Sequence, residues 1–251
     1  TAAERAEAAA QPSPETVRHA DATAGLVVTS VFEAFPGLSA VRTYTRLSSA
    51  RPLPIEAVSS LNLTVPMRVN CGKISHSRIF WGDSAWAVEN DWHNRSLRET
   101  QLRDRNQNIN PGQSSSRFAL SSTSTWSTGV HEPAGIVQVE GSTRRARDFS
   151  VMWQIEHNGP WEWEVGEDDP GLHISAFGPE FQDHQWYTQL GEGNDSESVP
   201  VSFAITSGNW QQSVAEMTLQ RRALRAAKAR ELGRSEQFER TQGLVIYNDY
   251  M

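Results

Sequence analysis

The chain has 251 residues and a formal net charge of -7, so it lacks the basic footprint that nucleic acid requires; we expect no nucleic-acid partner and an uncharged ligand. A single cysteine, Cys71, excludes an internal disulfide framework and favours a cytoplasmic setting, with secretion as the open alternative. No apolar run approaches the roughly 20 residues that span a bilayer, which predicts a soluble chain without a membrane partner.

Most of the predicted elements are short strands. Residues 1–24 are rich in Ala, Glu and Pro and are interpreted as a tail or as the incomplete start of a sandwich. After them, runs of alternating apolar and polar residues recur about every ten residues, which predicts antiparallel strands. The predicted strands are Gly25–Glu33, Ala40–Leu47, Ile55–Leu63, Ser77–Trp81, Arg117–Ser124, Gly135–Glu140, Phe149–His157, Trp161–Val165, Leu172–Phe177, Gln185–Leu190 and Val199–Ile205. The polar stretch Arg98–Ser116 is predicted to be one long surface loop.

This pattern predicts an all-β fold of two packed antiparallel sheets, a sandwich covering residues 25–206. A helix is expected within Trp210–Leu232, which contains no Pro or Gly and has apolar residues near a three-to-four spacing. Its basic residues could form a phosphate-binding patch, but flanking glutamates and the lack of interleaved aromatic residues favour a solvated helix face. They are Arg221, Arg222, Arg225, Lys228 and Arg230. Residues 207–242 are thus a linker helix and a polar connector.

The last residues suggest the start of a further domain. Leu244–Tyr247 is predicted to be a buried strand that carries Asn248, Asp249 and Tyr250 at its end. Because a strand with polar residues at its terminus is typical of a ligand site, we interpret residues 243–251 as the beginning of a second domain and the chain as a fragment of a longer protein.

The tryptophans are the strongest clue to the ligand. All nine lie between Trp81 and Trp210, and several stand beside carboxylates and amides. An indole packs on the flat face of a sugar ring while polar side chains bind its hydroxyls, so this composition favours a carbohydrate. For Trp161 and Trp163, which share one strand face, a role in the core is favoured. For Trp86, a core position and a loop position near a sugar are about equally supported.

Other motifs are weaker. His157-Asn158-Gly159 predicts a type I′ hairpin turn between two strands. The seven histidines, including His173 and His184, do not have metal-ligand spacing, and we expect neither a metal nor a cofactor. The hydroxyl-rich stretch 121–129 lacks a glycine-flanked nucleophile.

Several blocks in order resemble glycoside hydrolase family 36, the α-galactosidases or melibiases. The main block is residues 154–164, QIEHNGPWEWE; the others lie at 81–90, 124–129, 178–186, 198–200 and 248–251. The resemblance implies that the chain is the N-terminal β-supersandwich of such an enzyme, followed by a linker helix and the first strand of a truncated (β/α)₈ barrel.

The family's activity is hydrolysis of terminal α-linked galactose with retention, through a covalent glycosyl-enzyme formed by two aspartates. By the resemblance both catalytic aspartates lie beyond Met251, so the chain itself contains no catalytic residue and is expected to be inactive. The resemblance places Asp249 and Tyr250 at the sugar of their own chain. It places Trp86, with Asp83 as its polar companion, in a loop over the sugar of a neighbouring subunit in a homo-oligomer joined through the sandwich.

Two other hypotheses stay open. The chain could be a stand-alone carbohydrate-binding or lectin-like sandwich without catalysis, which the tryptophan groups favour. It could also be a structural domain that serves assembly. A barrel encoded downstream of Met251 would distinguish the first hypothesis from these.

Overall fold

The fold is that of a two-sheet sandwich in a computed structural model, which describes residues 13–21, 25–65, 77–100, 102, 117–123, 129–141, 148–168, 171–241 and 244. The strands are β1 Ser13–Asp21, β2 Leu26–Ala34, β3 Ala40–Ser49, β4 Leu53–Ile55, β5 Ser59–Val65, β6 Arg78–Ala85, β7 Val88–Ser96, β8 Arg117–Ser122, β9 His131–Val139, β10 Phe149–Ile155, β11 Trp161–Asp168, β12 Gly171–Phe177, β13 Thr188–Leu190, β14 Ser196–Glu197 and β15 Val201–Ser207. The helices are α1 Phe181–His184, α2 Trp210–Glu231 and α3 Ser235–Thr241.

The larger sheet contains nine strands in the order β1-β2-β3-β15-β10-β9-β6-β7, with β14 beside β3. A four-stranded sheet, β5-β12-β11-β8, covers one of its faces, and β4 and β13 form a small separate pair. Every pairing among the described strands is antiparallel. The all-β prediction is therefore confirmed.

The alternation of β10 shows how the sequence builds two layers. Val151, Trp153 and Ile155 point into the core between the sheets, whereas Met152 points to the opposite face, where α2 packs. Trp153 lies opposite Gly135 of β9, and a Cβ atom at Gly135 would overlap the indole ring. The glycine therefore makes room for one of the fully buried tryptophans of the core.

Trp161 and Trp163 of β11 are fully buried, as predicted. The Trp163 ring meets Trp153 edge to face, with ring centroids 5.1 Å apart, and lies 5.8 Å from Phe118. These rings, together with aliphatic residues from both sheets, fill the interior.

The predicted helix is confirmed as α2. Asn209 caps it by accepting a hydrogen bond from the Gln211 backbone N–H at 3.1 Å. Ser213, Met217 and Gln220 are buried against the large sheet. The five basic residues of the predicted patch are exposed, which supports the solvated-face interpretation. None of the described helices is both long and apolar enough to cross a bilayer.

Several expectations were wrong or incomplete. The sequence predicted neither β1 nor β7, and the connector after α2 contains α3. The type I′ turn is wrong, because neither Asn158 nor Gly159 has the positive φ that this turn requires. Gln185 and Trp186 precede β13 rather than belong to it.

The stretch Arg98–Ser116 falls mostly outside the described residues, and its described Leu102 is buried. The predicted strand Leu244–Tyr247 lies outside them apart from Leu244.

Candidate functional site

The candidate site lies on the hairpin of β6 and β7. The sequence pattern predicted a loop for the residues from Gly82 to Trp86. That interpretation is wrong for Gly82 to Ala85, because β6 runs to Ala85. Only Trp86 and Ala87 form the turn, and Ala87 has a left-handed φ of 64°. The Ala87 backbone N–H donates to Glu89 Oε1 at 3.2 Å and helps to fix the turn.

Trp86 lies at the tip of this hairpin and is 87% exposed. This excludes the alternative that Trp86 belongs to the sandwich core. Val88 and Val130 are also exposed nearby; Val130 lies beside the hairpin, since its carbonyl accepts the Ser84 backbone N–H at 2.9 Å. An indole held on a tight turn and open to solvent can stack on a ligand or on a partner surface.

Asp83 lies three residues before Trp86 and is held by two histidines. His93 Nε2 of β7 lies 2.7 Å from Asp83 Oδ2, and His131 Nδ1 of β9 lies 2.7 Å from Asp83 Oδ1. The carboxylate therefore links three neighbouring strands. Trp81 packs against His93, with ring centroids 4.9 Å apart, on the side nearer the core.

The electrostatics of Asp83 follow from these contacts. Partial burial alone would raise its pKa, but the hydrogen bonds with His131 and His93 outweigh the burial, and the net pKa is lowered. Asp83 is therefore an ionised acceptor near neutral pH, and both of its oxygens already have a partner. A sugar hydroxyl could bind Asp83 only beside or in place of a histidine.

The sequence pattern does not reveal this His-Asp-His cluster. His93 lies on a strand that had not been predicted, and His131 is 48 residues from Asp83. The other two predicted site residues, Asp249 and Tyr250, lie outside the described residues, so their relation to Trp86 stays a prediction.

Replacing Asp83 tests the cluster. We expect Asp83→Asn to lower the free energy of unfolding by about 1–2 kcal/mol at pH 6–7, because one charge-assisted bond is lost. A carboxyl whose folded pKa is lowered contributes its stability above its unfolded pKa and loses it as the pH falls through the folded pKa. The difference between the proteins should therefore shrink as the pH falls below the unfolded pKa of about 4, and it should vanish once Asp83 is protonated in the folded state. Urea unfolding at pH 7, 5 and 3 measures it.

The matched control is Asp91→Asn, since Asp91 lies opposite Asp83 on the hairpin and is exposed. It should change stability by less than about 0.5 kcal/mol. An Asp83→Asn effect that equals the control, or that persists unchanged at pH 3, would contradict the proposed role of the hydrogen bonds to the Asp83 carboxylate.

A second polar cluster contains Glu162, Glu180 and Asp183, whose nearest carboxylate oxygens lie within 4.8 Å of one another. Burial raises the pKa of Glu162 to about 7, Arg117 acts against that change, and the neighbouring carboxylates reinforce it. Glu180 accepts the Gln182 and Asp183 backbone N–H groups and thereby caps α1. Since one member is a helix cap, the cluster is explained by local structure, although its ligand types could bind a hard cation.

A cavity of about 420 Å³ opens between β2 and β3 of the large sheet and β5, the edge strand of the small sheet. Its wall contains Val28, Phe32, Leu47, Ser60 and Asn62. Neither Asp83 nor Trp86, the two sequence-predicted site residues that the structure describes, lines this cavity.

The chain resembles known proteins in its structure but not detectably in its sequence. No protein-family model and no curated protein sequence matches the chain. Among solved structures, the alpha-galactosidase AgaA of Geobacillus stearothermophilus, from glycoside hydrolase family 36, superposes with a TM-score of 0.63 at 13% identity, over 81% of this chain and 25% of its own. The alpha-galactosidase of Lactobacillus brevis gives 0.65 at 14% identity, over 85% of this chain and 27% of its own.

The galactosidase domain of an alpha-galactosidase-sucrose kinase gives a TM-score of 0.58 at 13% identity, over 79% of this chain and 26% of its own. Other structures of AgaA contain raffinose or stachyose. This chain therefore spans about a quarter of the length of these enzymes and matches their N-terminal part. At such low identity the similarity establishes the fold, which is that of the N-terminal sandwich of family 36 alpha-galactosidases.

Proposed function

We propose that the chain is the N-terminal sandwich of a retaining α-galactosidase, and that it supplies assembly contacts and part of a sugar site rather than the catalytic carboxylates. The observation that carries this proposal is the match of 81–85% of the chain to the N-terminal part of alpha-galactosidases. The substrate class is an oligosaccharide that ends in α-linked galactose.

Trp86 is the residue through which the sandwich would contact that sugar. Its support is local: the indole is 87% exposed, and the hairpin that carries it is held to β9 through Asp83 and His131. A side chain on a rigid projecting hairpin can reach beyond its own domain with little loss of conformational entropy on binding. In the proposed homo-oligomer Trp86 covers the sugar of a neighbouring subunit, and Asp249 and Tyr250 line the site of their own chain.

The first experiment concerns catalysis. The purified 251-residue chain should not hydrolyse an aryl α-galactoside, because the proposal places both catalytic aspartates beyond Met251. The longer protein encoded by the same gene should hydrolyse it and release galactose with its α configuration retained, which NMR detects. Turnover by the 251-residue chain that survives Asp249→Asn would overturn the assignment. A gene without a downstream barrel would favour a stand-alone binding sandwich.

The second experiment concerns Trp86 in the longer protein. We expect Trp86→Ala to lower kcat/KM about tenfold or more, the scale of one stacking contact of roughly 1–2 kcal/mol, without changing Tm. Tyr187→Ala is a matched control, because Tyr187 is 66% exposed and is not assigned to the site. Unchanged kinetics for Trp86→Ala would remove Trp86 from the sugar site.

A further inference from the structure

A second group of aromatic and polar side chains lies on the opposite face of the same hairpin from the His-Asp-His cluster. We propose that this face of β6, β7 and β9, called here the tryptophan face, binds a neutral oligosaccharide, with Trp92 and Trp210 as its two stacking platforms. Its polar residues are Arg78, Asn94 and Glu132. The proposal does not depend on hydrolysis by the longer protein, because every residue in it belongs to the described part of this chain.

Trp92 is fixed over the backbone of β6. It lies opposite Gly82, and its Nε1 donates to Asn90 Oδ1 at 2.7 Å. A Cβ atom at Gly82 would lie 2.8 Å from Glu132 Cγ and 3.2 Å from Trp92 Cε2. The absent side chain therefore lets an indole and a carboxylate approach each other from β7 and β9. Trp92 remains 39% exposed although its N–H has a partner.

Trp210, the first residue of α2, lies on the same face. Its ring centroid is 5.8 Å from that of Phe80, and its backbone N–H bonds to Gln138 Oε1 at 3.2 Å. Phe80 precedes Gly82 by two residues on β6, so both face the same side of the sheet. At about 3.4 Å per residue, the two indoles are separated by about 7–14 Å along the strand, a span suited to a short oligosaccharide. Trp210 is 37% exposed.

Polar side chains lie on the same face as the two indoles. Asn94 lies opposite Phe80, and Arg78 Nε donates to Asn94 Oδ1 at 2.5 Å. Burial raises the pKa of Glu132, opposed by a hydrogen bond with Ser84. One guanidinium and one carboxylate leave this face without net charge, which complements an uncharged ligand.

This composition distinguishes a sugar from a protein partner. The centre of a protein interface is depleted of glutamate, whereas this face has a partly buried glutamate and an exposed amide beside its aromatic rings. A saccharide needs such a mixture, because its ring faces pack on indoles while its hydroxyls require donors and acceptors.

The test uses the 251-residue chain labelled with ¹⁵N and titrated with raffinose, stachyose, maltohexaose and cellohexaose. We expect saturable shifts of the Trp92 and Trp210 indole N–H signals with at least one sugar, and an affinity lowered about tenfold by Trp92→Ala. Tyr187→Ala is the matched control and should leave the affinity unchanged, because Tyr187 is exposed and belongs to neither proposed sugar site. Glu132→Gln preserves the shape of the side chain and should also weaken binding. It therefore tests the face even if the Trp92→Ala variant does not fold.

This experiment tests sugar binding at the tryptophan face separately from the proposed α-galactosidase activity. That activity is tested by turnover of the longer protein. Absence of saturable shifts with all four sugars would overturn the proposal. It would be equally overturned by binding that Trp86→Ala abolishes and Trp92→Ala does not. A concentration-dependent dimer that Trp92→Ala disrupts, without sugar binding, would assign the face to a protein contact instead.

Discussion

Trp163→Ala should destabilise the chain by about 3–5 kcal/mol, the cost of removing a large aromatic side chain from a rigid core. Trp163 is fully buried, and its ring touches residues of both sheets: Trp153 of the large sheet and Phe118 of the small one. Its removal leaves a cavity between two sheets that their own hydrogen-bonded ladders prevent from collapsing. Urea unfolding, followed by far-UV circular dichroism, measures the loss.

Trp163→Phe distinguishes the contribution of the aromatic ring to stability from that of the indole N–H. In the described part of the chain, the indole nitrogens of Trp153 and Trp163 are buried without an acceptor. Phenylalanine keeps the aromatic contact and removes an unsatisfied donor, so it should cost only about 1 kcal/mol. Trp86→Ala, at an exposed tryptophan, should cost less than about 0.5 kcal/mol. Equal losses for Trp163→Ala and Trp86→Ala would contradict this account of the core.

The sequence pattern predicted those strands that have at least one buried face. In β10 and β12, buried residues dominate and the run is bounded by turn residues, so alternation and composition agreed. The edge strand β7 has the sequence VENDWHNRS and is largely exposed on both sides. A strand with two solvated faces has no hydrophobic period, and only its pairing with β6 reveals it. The same argument applies to the edge strand β1, whose described side chains are exposed.

The block that most strongly resembled the family, residues 154–164, serves the fold in this structure. Trp161 and Trp163 are core residues, and Glu156 accepts hydrogen bonds from Arg42 at 2.8 Å and from Ser202 at 2.5 Å. Glu164 lies 3.1 Å from Arg117. The block holds the two sheets together, which is why it could indicate the architecture without identifying a ligand.

For a related reason, the sequence predicted the exposed position of Trp86 but not the residues that surround Asp83. A tight turn places Trp86 in solvent, and the surrounding polar residues already indicated a loop position. The partners of Asp83 come from β7 and β9, and the convergence of Trp92 and Glu132 depends on the register of three strands. Register is a property of the assembled sheet, and a single sequence does not determine it between distant segments.

Glu162→Gln should stabilise the chain at alkaline pH and leave it nearly unchanged at pH 4. Glu162 is 8% exposed, and burial raises its pKa to about 7, with Arg117 opposing the shift and nearby carboxylates reinforcing it. An acid whose folded pKa is above its unfolded value binds its proton more tightly when folded. The protein therefore loses stability as the pH rises from the unfolded pKa through the folded one.

Glutamine has the shape of the protonated carboxyl group and does not ionise. We expect Glu162→Gln to be more stable than the parent by about 1–3 kcal/mol at pH 8, with the difference disappearing by pH 4. Urea unfolding at both pH values measures it. Glu164→Gln is the control from the same strand; it removes an ion pair with Arg117 and should be neutral or destabilising at pH 8. A Glu162→Gln effect of equal size at both pH values would show that packing, rather than the cost of a buried charge, determines the stability at this position.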